Sequence, residues 1–258
     1  MSLSKYITER LKITSNTKSA NNQHTLFPKD LKELLPILED EIKKQGPDAD
    51  LNHIDVSQIT EMHDLFYRIY IRNIKVDKWD VSNVVNMRKA FTGHKDFNAD
   101  LSSWDVSNVE NMRSMFEGCP NFNADLSEWD VSKCRDFCNV FNGCEKFNHD
   151  LSNWDVSKAW ITAGMFQDCN SFESDLSSWN VSNVKDMNRM FQNCWKFNSD
   201  LSGWNVSKVE TVSQMFENCT RFRSNLSKWD VNRVKTWYKF SAECPNFNDK
   251  SNLPEKLR

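Results

Sequence analysis

Apolar and polar positions recur on a fixed period along this chain. From Leu101 the order is Leu-Ser-Ser-Trp-Asp-Val, then Ser-Asn-Val-Glu-Asn-Met-Arg-Ser-Met-Phe-Glu-Gly-Cys, then Pro-Asn-Phe-Asn-Ala-Asp, and Leu126 opens the next copy. Seven tryptophans, Trp79, Trp104, Trp129, Trp154, Trp179, Trp204 and Trp229, stand twenty-five residues apart without an insertion or deletion. A period in this range marks units that cannot bury their apolar face alone and must stack on their neighbours. The tryptophans therefore read as a structural spine, and function is expected on a surface built by many units.

Within the unit, Leu-x-x-Trp-x-Val fits the strand half of a leucine-rich repeat, with Trp104 and Val106 on one face and Asp105 on the other. Val109, Met112, Phe116 and Cys119 then fall at i, i+3, i+7 and i+10, the apolar stripe of a short helix. Ser107 is its expected N-cap, and Glu110 completes a capping box that Ser207 and Glu210 repeat. Phe122 and its equivalents close the loop to the next Leu. These patterns predict an α/β solenoid, a leucine-rich-repeat-like stack of about eight strand-plus-short-helix units with an N-terminal helical cap.

The array begins at Leu51, where Ile54 takes the Trp position, and runs to Lys250. Its last unit is altered, since Trp237 and Phe240 replace the two Met and Ser241 replaces the Phe. Residues 26–50 form the expected cap, with Leu31, Leu34, Leu35, Leu38 and Ile42 on one helical face and Pro36 bending or dividing it. Residues 1–25 read as a segment or linker, with a short helix around Ser4–Ile13 and a possible role as a tether. Residues 251–258 form a polar tail.

The net charge of −3 gives no general argument for nucleic acid. No stretch is long and apolar enough to span a bilayer, so membrane insertion is not expected. The N-terminus lacks the apolar run of a secretory signal, which favours a cytoplasmic or particle-associated setting over secretion. Six of the eight cysteines occupy one repeat column, from Cys119 to Cys244. They read as small buried apolar residues, with disulfides between neighbouring units as the alternative. Cys138 lies off the column and reads as an exposed thiol.

With the unit written out as Phe-Asn-x-Asp-Leu-Ser-x-Trp-Asp-Val-Ser-Asn-Val-x-x-Met-x-x-Met-Phe-x-x-Cys, the chain resembles the BspA-type leucine-rich-repeat surface proteins over about residues 27–250. The entry segment Ala49-Asp-Leu-Asn-His-Ile-Asp-Val-Ser belongs to the same likeness. The resemblance implies a repeat scaffold found on bacterial surfaces and in phages and other mobile elements, with adhesion for some members.

Two features are candidate binding sites. Asp80, Asp105, Asp130, Asp155, Asn180, Asn205 and Asp230 follow the tryptophans and would line one face as an acidic recognition strip, unless each serves only its own turn. Asp100, Asp125, Asp150, Asp175, Asp200 and Asn225 form a second column for which the local-turn reading is stronger. The other candidate is Trp160-Ile161, in a unit where Ala-Trp-Ile-Thr-Ala-Gly replaces Val-Glu-Asn-Met-Arg-Ser. Either both apolar side chains stand outside as a partner site, or a local shift turns Trp160 inward. Trp195 is a weaker candidate of the same kind.

Catalysis has no support, because the five histidines share no constellation with a nucleophile and no phosphate-cradling glycine loop exists. No metal site or cofactor is expected. The expected function is non-catalytic macromolecular recognition of a protein or surface glycan, by protein interaction or adhesion. The alternative is a structural or assembly protein of a phage or mobile element, tethered through its N-terminal segment.

Overall fold

A computed structural model describes residues 24–258. The proposed helix around Ser4–Ile13 and most of the proposed tether lie outside the described residues. Eight coils of twenty-five residues, from 51–75 to 226–250, follow one helix, and three short 3-10 turns end the chain.

The helix, α1, spans Leu31–Gln45. Asp30 caps it, Oδ1 accepting the Glu33 N–H at 2.9 Å. Leu34, Ile37, Leu38 and Ile42 are buried, so the apolar stripe covers the open end of the first coil's core. Pro36 lies inside the helix and does not divide it, in contrast to one of the two outcomes expected. Gly46, with φ of 85°, ends it and returns its N–H to the Ile42 carbonyl.

The strand-plus-helix unit is not what these coils form. Among the described residues α1 is the only α-helix, and parallel pairing is confined to isolated bridges that build no sheet. The reason lies in the backbone. Each coil holds a left-handed residue in the Ser114 column, from Asp64 to Lys239, with φ of 50–61°. Seven coils hold another four positions on, from Gly93 to Glu243, with φ of 54–82°. Left-handed residues interrupt a right-handed helix, so none continues past Ser114, and the Ser107–Glu110 capping box has no helix to cap.

The apolar i, i+3 spacing instead records successive turns. In one coil the Trp104 N–H bonds the Leu101 carbonyl at 3.1 Å, Val109 bonds Val106 at 2.9 Å, Met115 bonds Met112 at 3.0 Å, Cys119 bonds Phe116 at 3.1 Å and Phe122 bonds Cys119 at 3.0 Å. All of these apolar side chains are buried. The expected strand half is thus two tight turns, one closed by Leu101 and Trp104 and the next by Val106 and Val109.

Coils are joined by a backbone ladder of constant register. Glu110 N–H bonds the preceding coil at the Val85 carbonyl, while Met112, Ser114, Phe116 and Gly118 donate forward to Asp136, Cys138, Val140 and Asn142. Equivalent bonds recur along the array, and parallel bridges run from Glu61↔Asn86 to Thr211↔Thr236. Because a coil cannot satisfy these groups by itself, register and pairing come from its neighbours.

Side chains reinforce the stack. Each spine indole donates to a carbonyl one coil back, as Trp129 Nε1 does to Leu101 at 3.0 Å and Trp229 Nε1 does to Leu201 at 2.9 Å. Phe rings form two further columns, with Phe116 4.0 Å from Phe122 inside a coil and 5.8 Å from Phe141 in the next. Fully burying one such ring contributes roughly 1.5–3 kcal/mol.

Candidate functional site

The cysteine column is internal and bonded. Cys119, Cys144, Cys169, Cys194 and Cys219 each point Sγ at a Phe carbonyl one coil back, at 2.9–3.1 Å. All eight cysteines are free thiols, and burial pushes their pKa values up, to about 12 for Cys119. His94 takes the same place, its Nε2 3.0 Å from the Phe66 carbonyl, and burial lowers its pKa. Cys138, expected as an exposed thiol, is buried, and its pKa is pushed up to about 11 by the same cause.

The Asp/Asn column beside the spine lies fully on the surface. Asp80, Asp105, Asp130, Asp155, Asn180, Asn205 and Asp230 each accept, through Oδ1, the N–H two residues ahead at 2.9–3.2 Å. Such an Asx turn fixes the side chain and spends one oxygen locally. The backbone N–H of Ser132 holds the Asp130 carboxyl below its usual range. The second column behaves alike, as the Ser127 N–H, bonded to Asp125 Oδ1 at 3.0 Å, lowers the Asp125 pKa.

Trp160 stands outside the core, 50% exposed. Its backbone is held on both sides, the N–H by the Arg135 carbonyl at 3.0 Å and the carbonyl by the Lys185 N–H at 2.9 Å. No local shift therefore turns the indole inward, and Thr162 alone fills the neighbouring inward position, fully buried. The column that carries Trp160 otherwise reads Thr60, Val85, Glu110, Arg135, Lys185, Glu210 and Lys235. Ile161 is half-buried in the bridge column, among Asp136, Asp186 and other polar residues. The two side chains make an apolar interruption in a charged face that carries the Glu110–Arg135 and Glu210–Lys235 ion pairs at 3.8 and 2.5 Å.

The candidates do not merge into one pocket. Within the coil, Asp155 and Trp160 lie on either side of the Val156–Ala159 turn. Trp195 is 52% exposed but belongs to another column, shared with Tyr70. The sequence reading missed the two ends of the stack. At one end Trp237 and Tyr238 are 39% and 68% exposed; at the other a groove of about 470 Å³ separates α1 from the first coil. The first had a signal in the sequence, since Trp237 departs from a Met column. The second depends on where α1 rests.

Among the described residues no three His, Cys, Asp or Glu side chains gather as a metal site, and no helix is long and apolar enough to cross a membrane. No curated protein matches the chain. Two overlapping stretches, residues 39–154 and 135–253, match a family whose description is Mycoplasma protein of unknown function, DUF285. Together the two matches take in all eight coils but the last turns of the chain, and the chain therefore belongs to the DUF285 family.

Proposed function

We propose that this chain is a non-catalytic repeat scaffold that recognises another macromolecule, a protein or surface glycan, through the face carrying Trp160 and Ile161. Its repeat motif supports a closer kinship with the BspA-type surface proteins and an adhesion-type role. The observation that carries the reading is the half-exposed indole on a backbone fixed from both sides. A large aromatic on a fixed backbone has only two side-chain torsions to immobilise, so it loses little conformational entropy on binding and gives a partner a ready apolar anchor. The Asp column beside the spine could add acidic contacts through the oxygens its turns leave over.

Neighbouring coils supply the control substitutions. Lys185 occupies the Trp160 column and Asn111 the Ile161 column, so W160K/I161N keeps residues this backbone already accommodates. With the intact chain as bait, a partner bound by the wild type should be held at least about tenfold more weakly by the variant, with an unchanged melting temperature. Undiminished binding, or an earlier melt, would remove this face from consideration.

A further inference from the structure

The ladder that joins the coils does not stop at a satisfied edge. In coil 8 (226–250) the N–H groups of Trp237, Lys239, Ser241 and Glu243 occupy the forward-donating positions, yet they have no partner among the described residues. The Lys235 carbonyl, which sits where Val85 accepts from Glu110, has none either. Coil 1 (51–75) shows the opposite half of the pattern. The carbonyls of Glu61, His63, Leu65 and Tyr67 and the Thr60 N–H are without partners among the described residues.

Among the described residues both ends are closed on one side only. The tail covers the Trp229 side of coil 8, where the Leu226 N–H bonds Asn252 and Lys256 Nζ bonds the Asn232 carbonyl at 3.0 Å. Thr25 and Leu26 cover coil 1 at His53 and Asp55. The described residues leave the ladder side open. At coil 1 it is bounded by the groove of about 470 Å³ lined by Leu35, Glu39, Asp64, Leu65, Tyr67 and Arg68.

We propose that copies of this chain stack head to tail, the ladder edge of coil 8 in one copy pairing with that of coil 1 in a second. Continuing the internal register by one unit sets the Trp237, Lys239, Ser241 and Glu243 N–H groups opposite the Glu61, His63, Leu65 and Tyr67 carbonyls of the second copy. It sets the second copy's Thr60 N–H opposite the Lys235 carbonyl. Two charge matches follow from the same register, Lys239 against Asp64 and Glu243 against Arg68. The side chains of Glu243 and Arg68 make no ion pair in the single chain among the described residues. Trp237 and Tyr238 supply exposed aromatic surface at the joint. Two donor edges cannot pair with each other, so a closed dimer through coil 8 is excluded and the contact is heterologous and open-ended. This rests on the ladder and not on the Trp160 face.

Sedimentation velocity of the full chain at low salt, from low micromolar to submillimolar, tests the proposal. Mass should rise with concentration past a dimer and fall back with added salt. K239E/E243K and D64K/R68E should each remain monomeric, and mixing the two should restore association, because each reversed end then meets its complement. Asp64 also pairs with Arg88 at 2.7 Å and Lys239 with Glu217 at 3.2 Å, so the pair E243K and R68E, which leaves both contacts intact, serves if either double variant melts early. A wild type monomeric throughout, a species that stops at a dimer, reversed variants that associate like the wild type, or a mixture that fails to recover would each overturn it.

Discussion

At the residue scale, one side-chain device recurs more than any other, the Asp or Asn whose Oδ1 holds the N–H two residues ahead. It closes the turn before every spine Trp except Trp79, where Lys75 takes the place, and the turn after all seven. The turn requires an acceptor and no charge, as Asn225 and Asn180 show by filling the two columns without one. Where the residue is Asp, the ionised form accepts more strongly, so the carboxyls of Asp100, Asp125, Asp150, Asp175 and Asp200 titrate below the usual aspartate value, chiefly through the backbone N–H of the following Ser. A carboxyl depressed on folding stabilises the fold above its unfolded pKa, and that contribution is lost as pH falls through the folded pKa. Stability should thus be level above the ordinary aspartate pKa of about 3.9 and decline as the pH drops below it. Replacing Asp125, Asp150, Asp175 and Asp200 by Asn should flatten the decline, measured as urea midpoints across the acid range. The surface position of these groups keeps each individual effect small. A slope as steep as the wild type's would show that other carboxylates govern acid sensitivity.

At the scale of the element, the unit is a ring of turns, and what maintains it is the pair of left-handed residues that a helix would forbid. The sequence carries this in Gly93, Gly118 and Gly143, but Asp168, Asn193 and Asn218 fill the same column, and the Ser114 column runs through Asp, Lys, Ser, Asn, Gly, Arg and Gln. Only the glycines advertise the conformation, and four of them, Gly93, Gly118 and Gly143 in one column and Gly164 in the other, are outweighed by an apolar i, i+3 pattern that turns and helices share. Gly143 and Gly164 separate backbone strain from crowding. At Gly143, with φ of 75°, an added Cβ meets the Gly118 Cα at an ordinary 3.5 Å. Gly143→Ala should cost about 1–2 kcal/mol, the penalty of a left-handed L-residue. At Gly164, with φ of 61°, the Cβ would lie 2.1 Å from Asn139 Oδ1, so the Asn side chain must also move. Gly164→Ala should therefore be the more destabilising of the two in urea unfolding. Equal costs would mean that Asn139 yields freely and that the conformation alone sets the penalty.

At the scale of the molecule, repetition was fully legible, because an unbroken twenty-five-residue period leaves stacking as the only way to cover seven indoles and their Phe neighbours. Helix α1 was legible in part, as an apolar stripe of which Leu34, Leu38 and Ile42 are buried while Leu31 and Leu35 are only partly so. Trp160 was legible as a departure from the period, but its direction was not, since the bonds to Arg135 and Lys185 that hold it come from adjacent coils. The C-terminal cap was the least visible, because a polar tail gives no periodic signal, yet Leu253 and Leu257 are buried and the Asn252 carbonyl holds the Leu226 N–H at 2.9 Å. In a stack where each coil touches only its neighbours, the loss of a cap should be felt locally and fade with distance. Deleting residues 251–258 exposes the Trp229 side of coil 8 and frees the Leu226 amide. Hydrogen exchange should then quicken at Leu226 and Trp229, less so in coil 7 (201–225), and hardly at all in the coils around Phe116 and Phe141. Uniform quickening along the array would instead mean that the coils open as one unit, coupled by the continuous aromatic columns more tightly than nearest-neighbour contact allows.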